Sequence, residues 1–455
     1  MAVPAQRRTT KSLRLAVRDC VTPSTLTHRS ATLSNGLRVL AIPQAQLHRA
    51  HVALYVRVGS RFETPATNGL SHFLEHMLYR GTARLPSAHA VNLAFEEHGG
   101  YLYAATQTDY GLFSLTLPPE SLEAASMLFG EVLTQPAFYD IPIEQGIVCE
   151  ELLEDLDDDG RQVDPDNLSR TLIYPTHPLG YTITGTEELV RSFDEPALRA
   201  HHAKHYTAGN AVLVFSGAID ADRAIDLADK SFGGFPRGPR IETAPPVHAQ
   251  KKARLKILES VQSQTDLRLC IRAVAETAPE RPAVDALMRV IDDGMSTRLY
   301  HRICDAQGLC YDVSAGYDGY EDDGVIDITA GVQHARAAHV SSEVLAMLSE
   351  LAAEGPTPEE LSKAQRRHAW DMTAMLDSAE DIGAYFGAGT LFGRFESPVE
   401  RLASMQRVTA EQVRDAARML TQPERLNVVA VGMLDDGEDK RLAETVKTWR
   451  GAGGG

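Results

Sequence analysis

The sequence contains no apolar run that approaches the ~20 residues of a membrane-spanning helix. Cysteine is also scarce. Cys20, Cys149, Cys270, Cys304 and Cys310 form an odd, scattered set without the close pairs typical of metal sites. Such a set fits a reducing compartment. We therefore expect a cytoplasmic protein with no membrane partner.

Basic charge is in deficit. Lys and Arg total 45 against 62 Asp and Glu, which gives a formal net charge of −17 at pH 7. This charge argues against nucleic acid and anionic membranes as partners, but it is compatible with a basic peptide. The acidic excess is concentrated over residues 150–166. Because charge runs are usually solvated, an exposed helix end and loop is the simpler interpretation of that segment.

The chain divides near its middle. Its 455 residues exceed what one hydrophobic core usually serves. Four prolines fall within the eleven residues 236–246, a composition typical of a linker. We predict a flexible N-terminal arm over 1–28, domains over 29–235 and 253–450 joined by a linker over 236–252, and a Gly-rich tail over 451–455.

The two halves also repeat a pattern. A helical segment, a glycine stop and two strands over 87–115 recur in the same order over 296–328, with Gly99 and Gly308 as equivalent stops 209 residues apart. This repeat indicates duplication of one α+β unit.

The motif His72-Phe73-Leu74-Glu75-His76 lies in an apolar frame that predicts a largely buried helix starting near Asn68 or Ser71. At 3.6 residues per turn, His72, Glu75 and His76 share one face, so both imidazoles can reach one ion beside the carboxylate. His-x-x-Glu-His is the inverted form of a zinc-peptidase motif. The alternative is a core helix with two hydrogen-bonded histidines.

A catalytic zinc site needs a third protein ligand. A second helical pattern over 143–154 contains Glu144 and Glu151, which are seven residues apart and share a face. Either could reach the metal if this helix packs against the first. In the second half, residues 281–295 have neither histidine nor suitably placed paired carboxylates, so only the first half is expected to be catalytic.

With these motifs the chain resembles the pitrilysin family of zinc peptidases, and most of all the half-length group that includes the mitochondrial processing peptidase. Further matches extend over most of the chain, at residues 77–82, 98–100, 177–180, 185–186 and 206–217. The resemblance implies an α+β fold of two homologous α/β sandwich domains. Each would be a mostly antiparallel sheet covered by helices, and together they would form half of a clamshell.

The resemblance also assigns the site. Glu151 lies 75 residues after His76, the spacing at which the family has its third ligand. One Zn²⁺ per chain is thus expected on His72, His76 and Glu151, with Glu75 as general base and Glu144 orienting a ligand. Glu150 and Glu154 compete as third ligand, because their spacing from His76 is similar. Glu150, however, points about a third of the way round the helix from Glu144.

Family members bind a peptide by adding it to a sheet edge, a common recognition mode. The resemblance assigns that edge to residues 101–106, with Tyr103, Ala104 and Thr106 as substrate-binding residues. Tyr103 stands where the family usually has asparagine.

In the second half, the resemblance makes Tyr311 a further substrate-binding residue, although a tyrosine in an apolar strand is more often part of a core. Cys304 stands where the family has the arginine partner of this tyrosine. Arg302 is a poor replacement, because it lies on roughly the opposite helix face.

The implied function is a zinc-dependent endopeptidase that cleaves unstructured peptides or short precursor segments inside a dimer chamber. A related second subunit is expected, and a heterodimer is favoured over a homodimer because a homodimer would have Cys304 in both halves. A non-catalytic scaffold or binding subunit of a peptidase complex is the alternative. The sequence does not separate a general degrader from a dedicated maturation peptidase.

Overall fold

The computed structural model describes residues 26–451, so most of the predicted N-terminal arm and Gly-rich tail lie outside the described residues. Within that range the strands form two sheets. Those of the first sheet are β1 (Arg29–Thr32), β2 (Arg38–Pro43), β3 (Ala50–Val56), β4 (Tyr103–Thr106), β5 (Gly111–Leu117) and β6 (Ala211–Gly217). Those of the second are β7 (Arg254–Leu258), β8 (Thr265–Ala273), β9 (Cys310–Gly319), β10 (Gly324–Val332) and β11 (Leu426–Val431).

Helices lie between groups of these strands along the chain. The helices of the first half are α1 (Leu70–Leu78), α2 (Ala88–Glu96), α3 (Leu122–Thr134), α4 (Ile141–Leu152), α5 (Pro165–Ile173), α6 (Glu187–Ser192), α7 (Glu195–His205) and α8 (Ala221–Phe232). Those of the second half are α9 (Arg281–Ile291), α10 (Arg298–Tyr300, continued by a π-helical turn over His301–Asp305), α11 (Ala337–Glu354), α12 (Pro358–Ala374), α13 (Ala379–Leu391), α14 (Pro398–Arg407), α15 (Ala410–Leu420) and α16 (Glu438–Thr448). Within residues 26–451, no helix is long and apolar enough to cross a membrane.

The two sheets share one topology. The first runs β1-β2-β6-β3-β5-β4 and the second β7-β11-β8-β10-β9. In the first sheet, β2 and β6 are parallel, and the pairs β6-β3 and β3-β5 are antiparallel. In the second sheet, β7 and β11 are parallel, and the pairs β11-β8 and β8-β10 are antiparallel. The predicted α+β class, with mostly antiparallel sheets covered by helices, is confirmed, and the shared strand order is that of a duplicated unit.

The central strands of the sheets are buried on both faces, and β3, β6 and β11 are buried along their whole length. One face of the first sheet packs on its own helices, with Phe73, Phe129 and Phe215 in the shared core. The second sheet packs on α9, α11 and α15 in the same way. Continuous apolar runs in these strands follow from burial on both faces.

The second face of each sheet is covered by a helix from the other half. On α13, Ile382 and Phe386 join the core formed by Leu40 and Val214 of the first sheet. In return, Leu168 of α5 packs against the second sheet. The two halves of the chain are therefore joined by exchanged helices as well as by the segment 236–252, which contains neither helix nor strand.

Glycines allow α13 to lie close to the first sheet. A Cβ at Gly387 would stand 2.0 Å from Cε2 of Tyr55, and one at Gly383 would stand 2.7 Å from Cδ2 of His51. These glycines are one helical turn apart and so face the sheet together. A side chain at either position would push the helix away from the strands.

Two buried arginines of the first half form ion pairs with acidic residues of the second half, near the connecting segment. The Arg57 side chain is 2% exposed and binds Glu321 at 2.6 Å, and its Nε donates to the carbonyl oxygen of Ile241 at 2.9 Å. Arg61 forms a two-pronged pair with Asp322 at 2.7 and 2.5 Å. Fork-shaped pairs of this kind fix orientation as well as distance.

Candidate metal centre

The helix that carries the histidine motif begins at Leu70, between the two residues expected near its start. Gly69 precedes it with φ of +93°, and a Cβ there would stand 2.6 Å from the carbonyl oxygen of Thr184. The free N–H groups at this end are bound by Glu63, whose carboxylate accepts from the backbone of Gly69 at 2.9 Å and of Ser71 at 2.7 Å. A buried carboxylate from the preceding loop therefore caps α1 and fixes its position.

Three side-chain donors converge where α1 meets α4. Nε2 of His72 and Nε2 of His76 are 3.3 Å apart. Oε1 of Glu151 lies 3.5 Å from Nε2 of His72, and Oε2 of the same carboxylate lies 3.4 Å from Nε2 of His76. Among residues 26–451, these three form the one group of three or more possible metal ligands whose donor atoms all lie within 4.8 Å of each other.

The spacing fits a zinc ion. Two ligands bound at ~2.0–2.1 Å with a tetrahedral angle stand about 3.3–3.4 Å apart. The two imidazole nitrogens, 3.3 Å apart, match that edge length, and each has one oxygen of Glu151 at 3.4–3.5 Å. Two imidazole nitrogens and one carboxylate are also a recognised donor set for catalytic zinc. Glu150 and Glu154 are exposed and outside the group.

Glu144 lies behind His76. Its Oε1 is 2.8 Å from Nδ1 of His76, so Nδ1 donates to Glu144 and Nε2 is the nitrogen that would bind a metal after it gives up its proton. Arg80, four residues after His76, forms an ion pair with the other oxygen of Glu144. Burial opposes ionisation of Glu144, but its hydrogen bonds to His76 and Arg80 outweigh burial and lower its pKa.

The two imidazoles have opposite electrostatic environments. Burial, reinforced by the neighbouring His76, lowers the pKa of His72 to about 4. Burial alone would lower the pKa of His76 as well. The hydrogen bonds of His76 to Glu144 and Glu151 outweigh burial and raise the pKa of His76 to about 9. The carboxylates that stabilise positive charge on His76 would equally stabilise a bound cation.

Glu75 lies on the same face of α1, beside the three donors. Oγ1 of Thr106, at the end of β4, donates to Oε2 of Glu75 at 2.5 Å. Burial raises the pKa of Glu75, and the hydrogen bond from Thr106 opposes that rise. Thr106, expected from the resemblance to bind substrate, thus contacts the expected general base with its side chain.

The assigned substrate segment lies at a sheet edge, since β4 is the last strand of the first sheet. Tyr103 is 47% exposed and Ala104 is half-buried. The strand of the second sheet equivalent to β4 is the edge strand β9, where Tyr311 is 93% exposed. The interpretation of Tyr311 as a core residue is therefore wrong.

The residues around Tyr311 lack an arginine at the expected place. Sγ of Cys304 lies 3.7 Å from Sγ of Cys310. Arg302 turns away to α11, where it binds Glu343 and Glu350, each at 2.7 Å.

The second half has an ion pair where the first half has its donors. Gln145 of α4 donates to three carbonyl oxygens at the end of α6. Gln365 of α12 makes the same three contacts at the end of α14. Asp371 follows Gln365 by six residues, as Glu151 follows Gln145, so Asp371 is the structural counterpart of Glu151.

Two glycines at equivalent positions align α1 of the first half with α9 of the second half. Gly81 after α1 and Gly294 after α9 both have positive φ, of +128° and +101°. Arg289 lies five residues before Gly294, as His76 lies five before Gly81. Arg289 binds Asp371 at 2.7 Å, so a guanidinium group stands in the place of a ligating imidazole.

The acidic segment 150–166 is partly neutralised within the chain. Asp157 pairs with Arg161 at 2.7 Å, and Asp166 lies 3.0 Å from Arg268. Glu150, Glu154, Asp158 and Asp159 are exposed. The segment thus combines an internally paired loop, in which Arg161 also lies 3.8 Å from Asp159, with exposed acids that lie close to Glu151 in the sequence.

The sequence reasoning missed Glu63 and Arg80. Glu63 precedes α1 by seven residues and belongs to no helical pattern, so nothing local signals its capping contact. Arg80 lies four residues after His76, in the turn that follows α1, and a four-residue spacing near a helix is a usable signal for a shared partner.

Comparison with known proteins agrees with this geometry. A family model described as insulinase, peptidase family M16, matches residues 38–187, and one described as the peptidase M16 inactive domain matches residues 192–367. The chain belongs to peptidase family M16, the pitrilysin family.

Relatives extend over nearly the full length. An uncharacterised zinc protease of Bacillus subtilis is 29% identical over 86% of this chain and 94% of its own length. One of Streptomyces coelicolor is 27% identical over 92% and 93%. Among solved structures, a peptidase M16 inactive domain from Pseudomonas fluorescens has a TM-score of 0.83 at 24% identity, covering 90% of this chain and 99% of its own. A protease from Helicobacter pylori has a TM-score of 0.83 at 20% identity, covering 90% and 100%.

Proposed function

We propose that this chain is a zinc-dependent endopeptidase that cleaves unstructured peptides or short precursor segments. The observation that carries the proposal is the convergence of His72, His76 and Glu151, whose donor atoms all lie within 4.8 Å of one another with the two imidazole nitrogens 3.3 Å apart. The relatives of similar length in Bacillus subtilis and Streptomyces coelicolor are named zinc proteases. Glu75 stands beside the three donors, as a general base must.

When bound, the ion would polarise the scissile carbonyl and make water a nucleophile near neutral pH. Glu75 would take the proton of that water and pass it to the leaving amine. Glu144 holds the ring of His76 through Nδ1 and keeps Nε2 directed at the metal position. The free edge of β4, with Tyr103 and Ala104, would pair with the backbone of the peptide.

Metal analysis and one variant test this function. Purified protein should contain about one equivalent of zinc, as a single three-ligand site requires. Glu75→Gln keeps the shape of the side chain but removes its basicity, so it should retain zinc and lose cleavage of unstructured peptides. Turnover by this variant close to that of the wild-type protein would contradict the mechanism. A zinc-loaded wild-type protein that cleaves no peptide, alone or with its partner, would favour the scaffold alternative.

The working enzyme contains a second subunit in this proposal. The candidate substrate edge β4 is open on one side, and Tyr103 in it is 47% exposed. An enclosed chamber formed with another chain would shield that edge from water and from unwanted strand pairing. Cys304 stands where the family has arginine, so a different but related partner that carries both arginine and tyrosine is favoured over a second copy.

Light scattering and reconstitution decide the assembly. The chain alone should be inactive or weakly active, and its co-purifying partner should restore cleavage. A stable monomer with full activity would contradict the half-enzyme proposal, and a fully active homodimer would contradict the need for a different partner.

We also propose a preference for basic peptides. The exposed acids Glu150, Glu154, Asp158 and Asp159 all lie within eight residues of Glu151 in the sequence, and a surface rich in one charge sign attracts the opposite sign. Matched Lys/Arg-rich and Asp/Glu-rich peptides should differ in kcat/KM at low salt, and the difference should shrink at high salt. Equal, salt-insensitive rates would mean that the rim is only solvated surface.

A cytoplasmic location completes the proposal, on the basis of the few and unevenly spaced cysteines. Cell fractionation of the source organism tests it, and recovery of the protein outside the cytoplasm would contradict it.

A further inference from the structure

Two hydrogen bonds join α1 to the segment that contains the edge strand β4. Oγ1 of Thr106 donates to Oε2 of Glu75 at 2.5 Å. Tyr79, the residue that directly follows α1, donates from its hydroxyl to the carbonyl oxygen of Leu102 at 3.0 Å. Glu75 and Tyr79 are four residues apart and lie on one side of the helix. One bond thus joins the α1 region to the residue before β4, and the other joins the candidate base Glu75 to the last residue of β4.

The bond from Thr106 constrains the carboxylate that would act as base. A carboxylate without a fixed partner rotates about its last torsion and presents either oxygen to a neighbour. With Oε2 held by a buried hydroxyl, Oε1 is the oxygen that remains to take a proton. Such pre-organisation raises reaction rates because less reorientation is needed at the moment of proton transfer.

We propose that Thr106 is a positioning residue for Glu75, through which the substrate strand sets the orientation of the general base. This inference rests on the proposed peptidase function. A peptide paired with the free edge of β4 would restrict the motion of Thr106 and, with it, the motion of Glu75. The hydroxyl of Thr106 should therefore affect the chemical step more than the binding of the peptide.

Paired variants at this position test the inference. Thr106→Val keeps the shape of the side chain and removes the hydroxyl, whereas Thr106→Ser keeps the hydroxyl. With Thr106→Val, kcat should fall about 10–100-fold while KM stays within about twofold, since a misoriented base slows proton transfer without changing strand pairing. Thr106→Ser should recover most of the loss. Thr329→Val serves as the matched control, because Thr329 lies on β10 of the other sheet and bonds Ser314 at 2.9 Å.

Two readouts are independent of turnover. Zinc content should be unchanged in Thr106→Val, since the hydroxyl of Thr106 bonds Glu75, which is not one of the three donors. In a double-mutant cycle of Glu75→Ala with Thr106→Val, the change in melting temperature of the double variant should differ from the sum of the two single changes, as for residues that share a bond.

The outcomes separate the inference from the proposed function. A wild-type protein without peptidase activity overturns the proposed function. An active wild-type protein in which Thr106→Val keeps its kcat, or raises KM as much as it lowers kcat, overturns the positioning role alone. Additive melting temperatures in the cycle overturn the bond on which that role depends. Loss of zinc in Thr106→Val would make its role structural and would also overturn the inference.

Discussion

Arg289 and Asp371 form an ion pair of 2.7 Å at the position in the second half that corresponds to His76 and Glu151 in the first. Both copies of the duplicated unit have two helices that meet at this position, but the side chains at the contact differ between the copies. In one half three donor atoms can share an ion, and in the other a guanidinium group supplies the positive charge itself. Since a guanidinium group stays protonated and has no lone pair to offer a metal, the second half is unsuited to zinc.

Loss of a ligand should therefore remove all the zinc. Glu151→Gln should reduce metal content from about one equivalent to near zero, because two ligands bind zinc far more weakly than three. Glu150→Gln and Glu154→Gln are matched controls, since both carboxylates are exposed and lie outside the group of donors. Metal analysis after dialysis against a weak chelator measures the effect. Zinc loss in either control with retention in Glu151→Gln would show that the third ligand is misassigned.

Removal of the support behind His76 should weaken zinc binding without abolishing it. Glu144→Gln and Arg80→Met disturb the pair that holds Nδ1 of His76. Changes of this kind typically cost ~10–100-fold in affinity or activity. Competition with a fluorescent chelator gives the zinc affinity directly. Arg84→Met is the control, because Arg84 binds Glu131 at 2.7 Å away from the donors, and unchanged affinity in both test variants would contradict the assigned role.

The contact between α13 and the first sheet should be sensitive to one methyl group. A Cβ at Gly387 would stand 2.0 Å from the ring of Tyr55, so Gly387→Ala should destabilise the protein by about 1–3 kcal/mol. The same substitution at Gly146, on α4, meets nothing within 4 Å and should be neutral or stabilising by about 0.5–1 kcal/mol. Urea denaturation compares the two, and equal stabilities would mean that α13 does not rest on the sheet as described.

Mild acid should destabilise the fold before it protonates most carboxylates. Burial lowers the pKa of His51, His205 and His368 to about 4 each, whereas an unfolded histidine titrates near ~6.5. Between these values the unfolded state binds more protons than the folded state. Stability is therefore complete above about pH 6.5 and falls as the pH approaches 4, by roughly 3 kcal/mol for each histidine.

Denaturation curves at several pH values test the acid effect. His368→Gln removes one titrating group whose Nε2 is buried without a hydrogen-bond partner, so the dependence of unfolding free energy on pH should become shallower. An unchanged slope between pH 6.5 and 4.5 would show that His368 is accessible to protons in the folded state.

The sequence alone determined the local parts of the site. His72, Glu75 and His76 share a face because helical periodicity depends on neighbouring residues only. The seven-residue spacing of Glu144 and Glu151 places both on one side of α4 for the same reason. The repeat of helix, glycine stop and strand pair likewise indicated two related units, and the two sheets do have the same strand order.

Contacts between segments far apart in the chain were decided only by the tertiary structure. The capping of α1 by Glu63, the bond from Thr106 to Glu75 and the pair of Arg289 with Asp371 each join different elements. The exchange of α5 and α13 between the sheets belongs to the same group. Periodicity shows which face of a helix is apolar, but the hydrophobic effect has no direction of its own. An apolar face can therefore be buried against any apolar sheet, and only the packing of the whole chain selects one.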